Sequence, residues 1–168
     1  MRQAIFSLFI LVFTTASVHA QAVTATVAAG SNPQGGAANP VTNKIYVANA
    51  NSGNVTVIDG ATNSTTTVAA GNNPYAVAVN PLTNRIYVAN GLSASVTVID
   101  GGTNSTTTVA VGSRPNALAV NPVTNKIYVA NYLGNSVTVI DGATNSTVTV
   151  AAGTNPLAVA VNLSLIHI

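Results

Sequence analysis

The sequence predicts an all-β fold, and three observations predict it. The first is self-similarity. Asn-Pro recurs at Asn39-Pro40, Asn80-Pro81 and Asn121-Pro122, IYVAN starts at Ile45, Ile86 and Ile127, and VTVIDG starts at Val55, Val96 and Val137, always 41 residues apart with no insertion or deletion. The second is that each unit holds four short runs rich in Val, Ile, Thr and Tyr, separated by Gly, Asn, Asp and Pro, the division expected of strands and turns. The third is that no segment keeps an apolar period of about 3.6 for long enough to make a helix. A period of roughly 20 to 50 residues marks a solenoid, a propeller or an array. Four strands in about 40 residues is one antiparallel blade of a β-propeller. A β-helix is the alternative, but its coils are shorter and carry fewer strands. The expected architecture is an open arc of about three propeller blades.

Taken in order, residues 1–20 read as a signal peptide. Arg2 is the one charge ahead of a mostly apolar run, Ile5 to Phe13, and Val18-His19-Ala20 sets small residues before a cleavage point at Gln21. The run is shorter than the roughly 20 residues a bilayer core needs, so no transmembrane segment is expected once the signal is removed. Residues 23–27 resemble the fourth strand of a unit and are expected to form it alone. Blades follow at about 33–71, 74–112 and 115–153, and 156–162 begins another.

In the second unit the four strands, A to D, are expected at Tyr75–Val79, Ile86–Asn90, Ser95–Asp100 and Ser105–Val109. Strand A alternates small and medium residues, which suits the crowded axis. Strands B and C are apolar on both faces, because neighbouring blades cover both. Strand D is Thr-rich and suits an exposed outer edge. In the first unit strand A reads QGGAA, and Gly35 and Gly36 weaken it, so a poorly formed strand is expected there. The repeat breaks after Asn162, and the tail Leu163 to Ile168, LSLIHI, matches the translation of a transposon-end sequencing adaptor. It is expected to be non-native, with the repeat continuing in the gene. The last blade of the chain as given then presents a flat apolar flank, and aggregation is expected.

Composition excludes several functions. Between Gln21 and Asn162 there is no Cys, His, Trp, Phe, Met or Glu. The charges are Lys44, Arg85, Arg114 and Lys126 against Asp59, Asp100 and Asp141. No basic cluster exists for nucleic acid. A catalytic triad or acid–base pair lacks its residues, and one carboxylate per unit is a poor metal site. No cofactor is implied. Each Asp precedes Gly at the end of strand C, which is turn chemistry. Asn63, Asn104 and Asn145 head N-S-T sequences; turn formation is the reading preferred to glycosylation. The B–C hairpin, with Ile45 set opposite Asp59, brings Lys44 near Asp59, Arg85 near Asp100 and Lys126 near Asp141. These are expected to be structural ion pairs, worth at most about 1 kcal/mol each when exposed.

The units differ most in their B–C loops (ANSGN, GLSAS, YLGNS) and around Asn73, Arg114 and Asn155 in the D–A connections. In a four-stranded meander these loops share one rim. Arg114 is the charge that departs from the repeat, and Tyr75 and Tyr132 replace small or polar residues of sister units. Tyr and Arg are the residues that binding hot spots favour. The candidate binding face is therefore Arg114, Tyr132, Tyr75, Leu92, Leu133 and Asn116.

The phrase NPVTNKIYVANANSGNVTVIDGATNSTTTVAAGNNP resembles the YVTN-type β-propeller repeat family, over about Gln21 to Asn162. The eponymous Thr is replaced by Ala48, Ala89 and Ala130. The resemblance implies an exported or cell-surface propeller of bacteria or archaeal surface layers, often seven-bladed, many members having no assigned activity. The function expected is a non-enzymatic binding or surface-scaffold module, periplasmic, cell-surface or secreted, taking a protein or glycan ligand on its variable rim. The alternative is part of a lactonase-like or quinoprotein-like enzyme whose catalytic residues lie in further blades.

Overall fold

The computed structural model describes residues 25–162. The signal segment, the start of the expected lone strand and the tail from Leu163 lie outside the described residues. Among the described residues twelve strands form three separate antiparallel sheets of four. The first is β1 (Pro33–Asn39), β2 (Lys44–Asn49), β3 (Asn54–Asp59) and β4 (Thr65–Ala69), hydrogen-bonded in that order. The second is β5 (Pro74–Asn80), β6 (Arg85–Asn90), β7 (Ser95–Asp100) and β8 (Thr106–Ala110). The third is β9 (Pro115–Asn121), β10 (Lys126–Asn131), β11 (Ser136–Asp141) and β12 (Thr147–Ala151). These are three blades of an open propeller arc, and the expected strand positions hold to within a residue.

Thr and Val alternation explains the outer strands. Thr66 and Thr67 of β4 are exposed while Val68 is buried, and Val109 of β8 repeats this. Val68 joins Tyr46, Ala48, Val55 and Val57 on one blade against Ile86, Val88 and Ile99 of the next. The same interface recurs between the second and third blades, where Tyr87, Val96, Val98 and Val109 meet Ile127, Val129 and Ile140. The core therefore lies between sheets, and no blade has one of its own. At about 1.5–3 kcal/mol per fully buried side chain of this size, each interface supplies most of what holds two blades together.

Three expectations are corrected. The first inner strand is formed despite its glycines, pairing with β2 from Gly36↔Val47 to Asn39↔Lys44 after a bulge. Gly35 has a packing reason: a Cβ there would run into the Tyr75 carbonyl oxygen and lie 3.0 Å from the Ala76 Cα of the neighbouring blade. Residues 25–30 form no strand. A lone strand has no ladder to complete, so residues 25–27 stay irregular.

The third correction concerns the ion pairs. The ladder sets Lys44, not Ile45, opposite Asp59, and likewise Arg85 opposite Asp100 and Lys126 opposite Asp141. Yet among the described residues Lys126–Asp141 alone closes, at 2.6 Å. Lys44 Nζ instead donates to the Gly101 carbonyl at 3.0 Å, and Arg85 Nη1 to the Gly142 carbonyl at 2.7 Å, each in the C–D turn of the following blade. The carboxylates of Asp59 and Asp100 are already engaged by the amides of their own turns, and the carbonyl across the packed interface takes the basic group instead. Lys126 has no following C–D turn among the described residues, and it falls back on Asp141.

Candidate functional site

The two rims of the arc are built differently. On one, each A–B turn meets the C–D turn of its own blade: the amides of Gly60, Gly101 and Gly142 donate to the carbonyls of Asn43, Asn84 and Asn125, each at 2.8 Å. Asn39, Asn80 and Asn121 open Asx turns by accepting from the amides of Val41, Leu82 and Val123. Asn39 and Asn80 also donate to Asn84 and Asn125 of the next blade, at 2.9 and 2.8 Å. Asn63, Asn104 and Asn145 sit in left-handed backbone at φ 59, 60 and 62°, which fits their reading as turn residues. Asp59, Asp100 and Asp141 cap the same turns through Oδ1.

These carboxyls are held below the usual carboxylate range. For Asp59 the main cause is the Thr62 amide and then that of Ala61; for Asp100 it is the Thr103 and then the Gly102 amide. For Asp141 it is the Lys126 ammonium first, then the Ala143 and Thr144 amides. The Asp residues are therefore turn caps, as expected. Among the described residues no group of three or more His, Cys, Asp or Glu converges to hold a metal ion.

On the other rim the B–C and D–A loops meet. The Ala50, Gly91 and Tyr132 amides donate to the carbonyls of Asn32, Asn73 and Arg114, at 2.9, 2.8 and 2.9 Å. Beneath them lies a constant platform that the sequence reading missed. The amides of Asn49, Asn90 and Asn131, all fully buried, reach Thr56, Thr97 and Thr138 at 2.9 Å. The D–A connection passes directly over each of them. A Cβ on Gly71 would come within 2.7 Å of the Asn90 amide and 2.6 Å of Ser93 Oγ; Gly30 and Gly112 stand over Asn49 and Asn131 in the same way. The strict recurrence of Asn at the end of IYVAN, in a position with no solvent to satisfy it, was the available signal.

Three of the expected site residues come together on this platform. The Arg114 guanidinium lies 5.4 Å from the centroid of the Tyr132 ring, a cation–π distance. Asn116 Nδ2 donates to the Leu157 carbonyl at 3.2 Å. Arg114, Asn116, Tyr132 and Leu157 line a pocket of about 230 Å³. Leu157 was not anticipated as a site residue. Arg114 holds φ at 53°, where the matching Asn32, Asn73 and Asn155 have 55, 57 and 52°. Left-handed backbone costs a long L side chain about 1–2 kcal/mol, which Asn largely escapes.

Tyr75 stands apart from this pocket. It occupies in the second blade the repeat position of Asn116 and lines another hollow, of about 270 Å³, with Gln34, Gly35 and Val77. Leu92 and Leu133 project from their B–C loops, 67% and 55% exposed. The rim thus presents one cationic aromatic pocket flanked by exposed leucines.

The fold is shared with β-propellers of known structure. The chain matches Kuenenia stuttgartiensis hydrazine synthase with a TM-score of 0.72 and 25% identity, over 82% of this chain and 42% of that one. It matches the WD40 repeats of RRP9 with a TM-score of 0.65 and 14% identity, over 73% and 39%. It also matches a Bacteroides fragilis protein named for 6-phosphogluconolactonase activity, with a TM-score of 0.64 and 23% identity, over 79% and 42%. The chain spans about two fifths of the length of these structures. Enzymes and a WD40 protein stand side by side among them, so what they share with this chain is the propeller architecture. No family model matches the sequence, and no curated protein matches it either.

Proposed function

We propose that the chain is an exported YVTN-type propeller acting as a non-enzymatic binding or cell-surface scaffold module. Its ligand is a protein or glycan taken on the B–C/D–A rim. The observation that carries this reading is the Arg114–Tyr132 pocket. A strained Arg replaces the Asn of the other repeats, is stacked on a Tyr that replaces Ala50 and Gly91, and faces solvent on an otherwise uncharged rim. An anionic group on the ligand suits an exposed guanidinium stacked on the Tyr132 ring. Function on a rigid scaffold concentrates in such loops.

Binding is tested by capture of extracellular proteins and by an array of neutral and acidic glycans. Arg114→Ala and Tyr132→Ala should each reduce a bound signal at least tenfold. Unchanged binding in both variants removes the pocket from the ligand site. Export is tested by N-terminal sequencing of the protein from the producing cell, with Gln21 expected as the first residue.

A further inference from the structure

Among the described residues Arg114 is a cation with no carboxylate beside it. The acidic side chains of the whole chain are Asp59, Asp100 and Asp141, and each caps a C–D turn on the opposite rim. Lys44, Arg85 and Lys126 belong to that opposite rim too, where the first two donate to turn carbonyls and the third to Asp141. On its own rim Arg114 is exposed, with its guanidinium over the Tyr132 ring.

The pocket beside it, about 230 Å³, is smaller than the roughly 300 Å³ at which pockets begin to enclose a drug-sized ligand. It therefore takes one ring-sized unit of a longer molecule. The guanidinium offers a planar fork of donors that matches a carboxylate. Asn116 gives its Nδ2 to the Leu157 carbonyl at 3.2 Å, which leaves its Oδ1 to accept from a hydroxyl. Tyr132 and the exposed Leu157 supply an aromatic and an aliphatic wall for ring C–H groups. A carboxylate, a hydroxyl and an apolar ring face together describe a sugar acid.

A peptide fits this pocket less well. Main-chain recognition needs free backbone donors, and the amides here are used within the rim. Tyr132 donates to the Arg114 carbonyl at 2.9 Å and Gly134 to the Ser113 carbonyl at 3.0 Å. The recess itself is a feature of the repeat. Gln34 and Tyr75, the counterparts of Asn116 and Leu157, line the hollow between the first two blades, both complete. There the repeat places Asn32 and Ala50 in the positions of Arg114 and Tyr132, so the recess recurs and the charge does not.

We propose that the Arg114 pocket binds one carboxylate-bearing sugar unit of an acidic glycan. The carboxylate sits on the guanidinium, Asn116 Oδ1 accepts from a ring hydroxyl, and the ring packs between Tyr132 and Leu157. The proposal rests on the rim-binding reading and narrows its ligand from a protein or glycan to a sugar acid.

The full chain is titrated with oligogalacturonate, oligoglucuronate and sialyl-lactose, each alongside its methyl ester. Esterification removes the charge and keeps the ring. At least one acid should bind, at least about tenfold more tightly than its ester, because the charge-assisted bond goes with the charge. Arg114→Asn, which suits the φ of 53° at this position, should abolish that preference while leaving the circular dichroism spectrum unchanged. Leu82→Ser, in an A–B turn of the opposite rim, should leave binding as it was. Dextran sulfate and polyglutamate separate the other sources of negative charge, and both should bind more weakly than the preferred sugar acid. The proposal is overturned if acids and esters bind equally or not at all, if Arg114→Asn keeps the preference, or if Leu82→Ser removes it. It is also overturned if dextran sulfate or polyglutamate binds more tightly than every sugar acid. An extracellular protein captured through Arg114, with no sugar acid bound, defeats this proposal and leaves the rim-binding reading standing. A ligand whose binding ignores both Arg114 and Tyr132 defeats the two together.

Discussion

On the rim of A–B and C–D turns the same Asn and Asp side chains recur in every blade, and Asn39 and Asn80 tie one blade to the next. On the rim of B–C and D–A loops the backbone bond that joins the two loops recurs in every blade, but the side chains above it change. In the first, Asn39 with Asn84 and Asn80 with Asn125 are the same bond made twice. In the second, the amide-to-carbonyl bond that joins the loops is the same whether it links Ala50 to Asn32 or Tyr132 to Arg114. A repeat protein can vary a surface freely where the backbone, not the side chain, carries the structural bond. It cannot vary a surface whose side chains hold its units in register.

Gly71 breaks that comparison hardest, because it joins the variable rim to its buried platform. Gly71→Val would drive a branched side chain into Asn90 and Ser93. Overpacking of this kind costs about 1–3 kcal/mol, and the displaced Asn90 amide, buried and deprived of Ser95 and Thr97, adds a similar penalty. Thermal denaturation should show the largest fall of any single rim substitution. Leu92→Ser, one turn away and exposed, should leave the midpoint unchanged.

Next comes the constant rim. Asn80→Ala removes an Asx cap and the bond to Asn125, leaving the Leu82 amide and Asn125 Oδ1 without that partner; a loss of about 2 kcal/mol is expected. Asn121→Ala removes the cap alone in the chain as it stands, and should cost clearly less. Equal losses in urea denaturation would show that the link between blades adds nothing to the turn.

Most of the fold was legible because the 41-residue repeat puts every strand under the same constraints three times over. The strand limits, the sheet order and the split into two rims followed from that period. What escaped was chemistry between blades. The spacing put Lys44 and Arg85 near their own carboxylates, and it did. But the distance from one blade to the next is set by packing, and only the packed arc shows that the turn carbonyls of Gly101 and Gly142 are within reach. Gly35 read as a weakness for the same reason: its cause is the backbone of the neighbouring blade. In the candidate site, Arg114 and Tyr132 were legible as departures from a repeat. Leu157 was not, because nothing local marks it as the far wall of their pocket.

The basic residues of the constant rim give a smaller effect. Arg85→Ala loses a charged donor to a partly buried carbonyl and should cost about 1 kcal/mol. Lys126→Ala, which breaks a pair of partly solvent-exposed side chains, should barely move the melting temperature near neutral pH. Its Asp141 carboxyl is held below the usual range, so whatever the pair contributes is present above the ordinary carboxylate pKa of about 4. That contribution is lost as pH falls through the lowered value. The small difference between wild type and Lys126→Ala should therefore vanish in strong acid. A difference that grew on acidification would reverse the assignment.

The smallest expected change has the opposite sign. Arg114→Asn puts at φ 53° the residue that every other unit places there. The backbone bond from the Tyr132 amide to the residue 114 carbonyl is kept, and the exposed cation–π contact that is lost is worth about 0.5–1 kcal/mol. Relief of left-handed strain is worth about 1–2 kcal/mol. The variant should be as stable as the parent or more stable by up to about 1 kcal/mol in urea denaturation, and it should lose whatever the pocket binds. A residue kept for structure destabilises when it is replaced by the repeat consensus; one kept for a ligand does not. A clear loss of stability in Arg114→Asn would move Arg114 from the variable rim's function to its scaffold, and would take with it the main reason for reading that rim as a binding face.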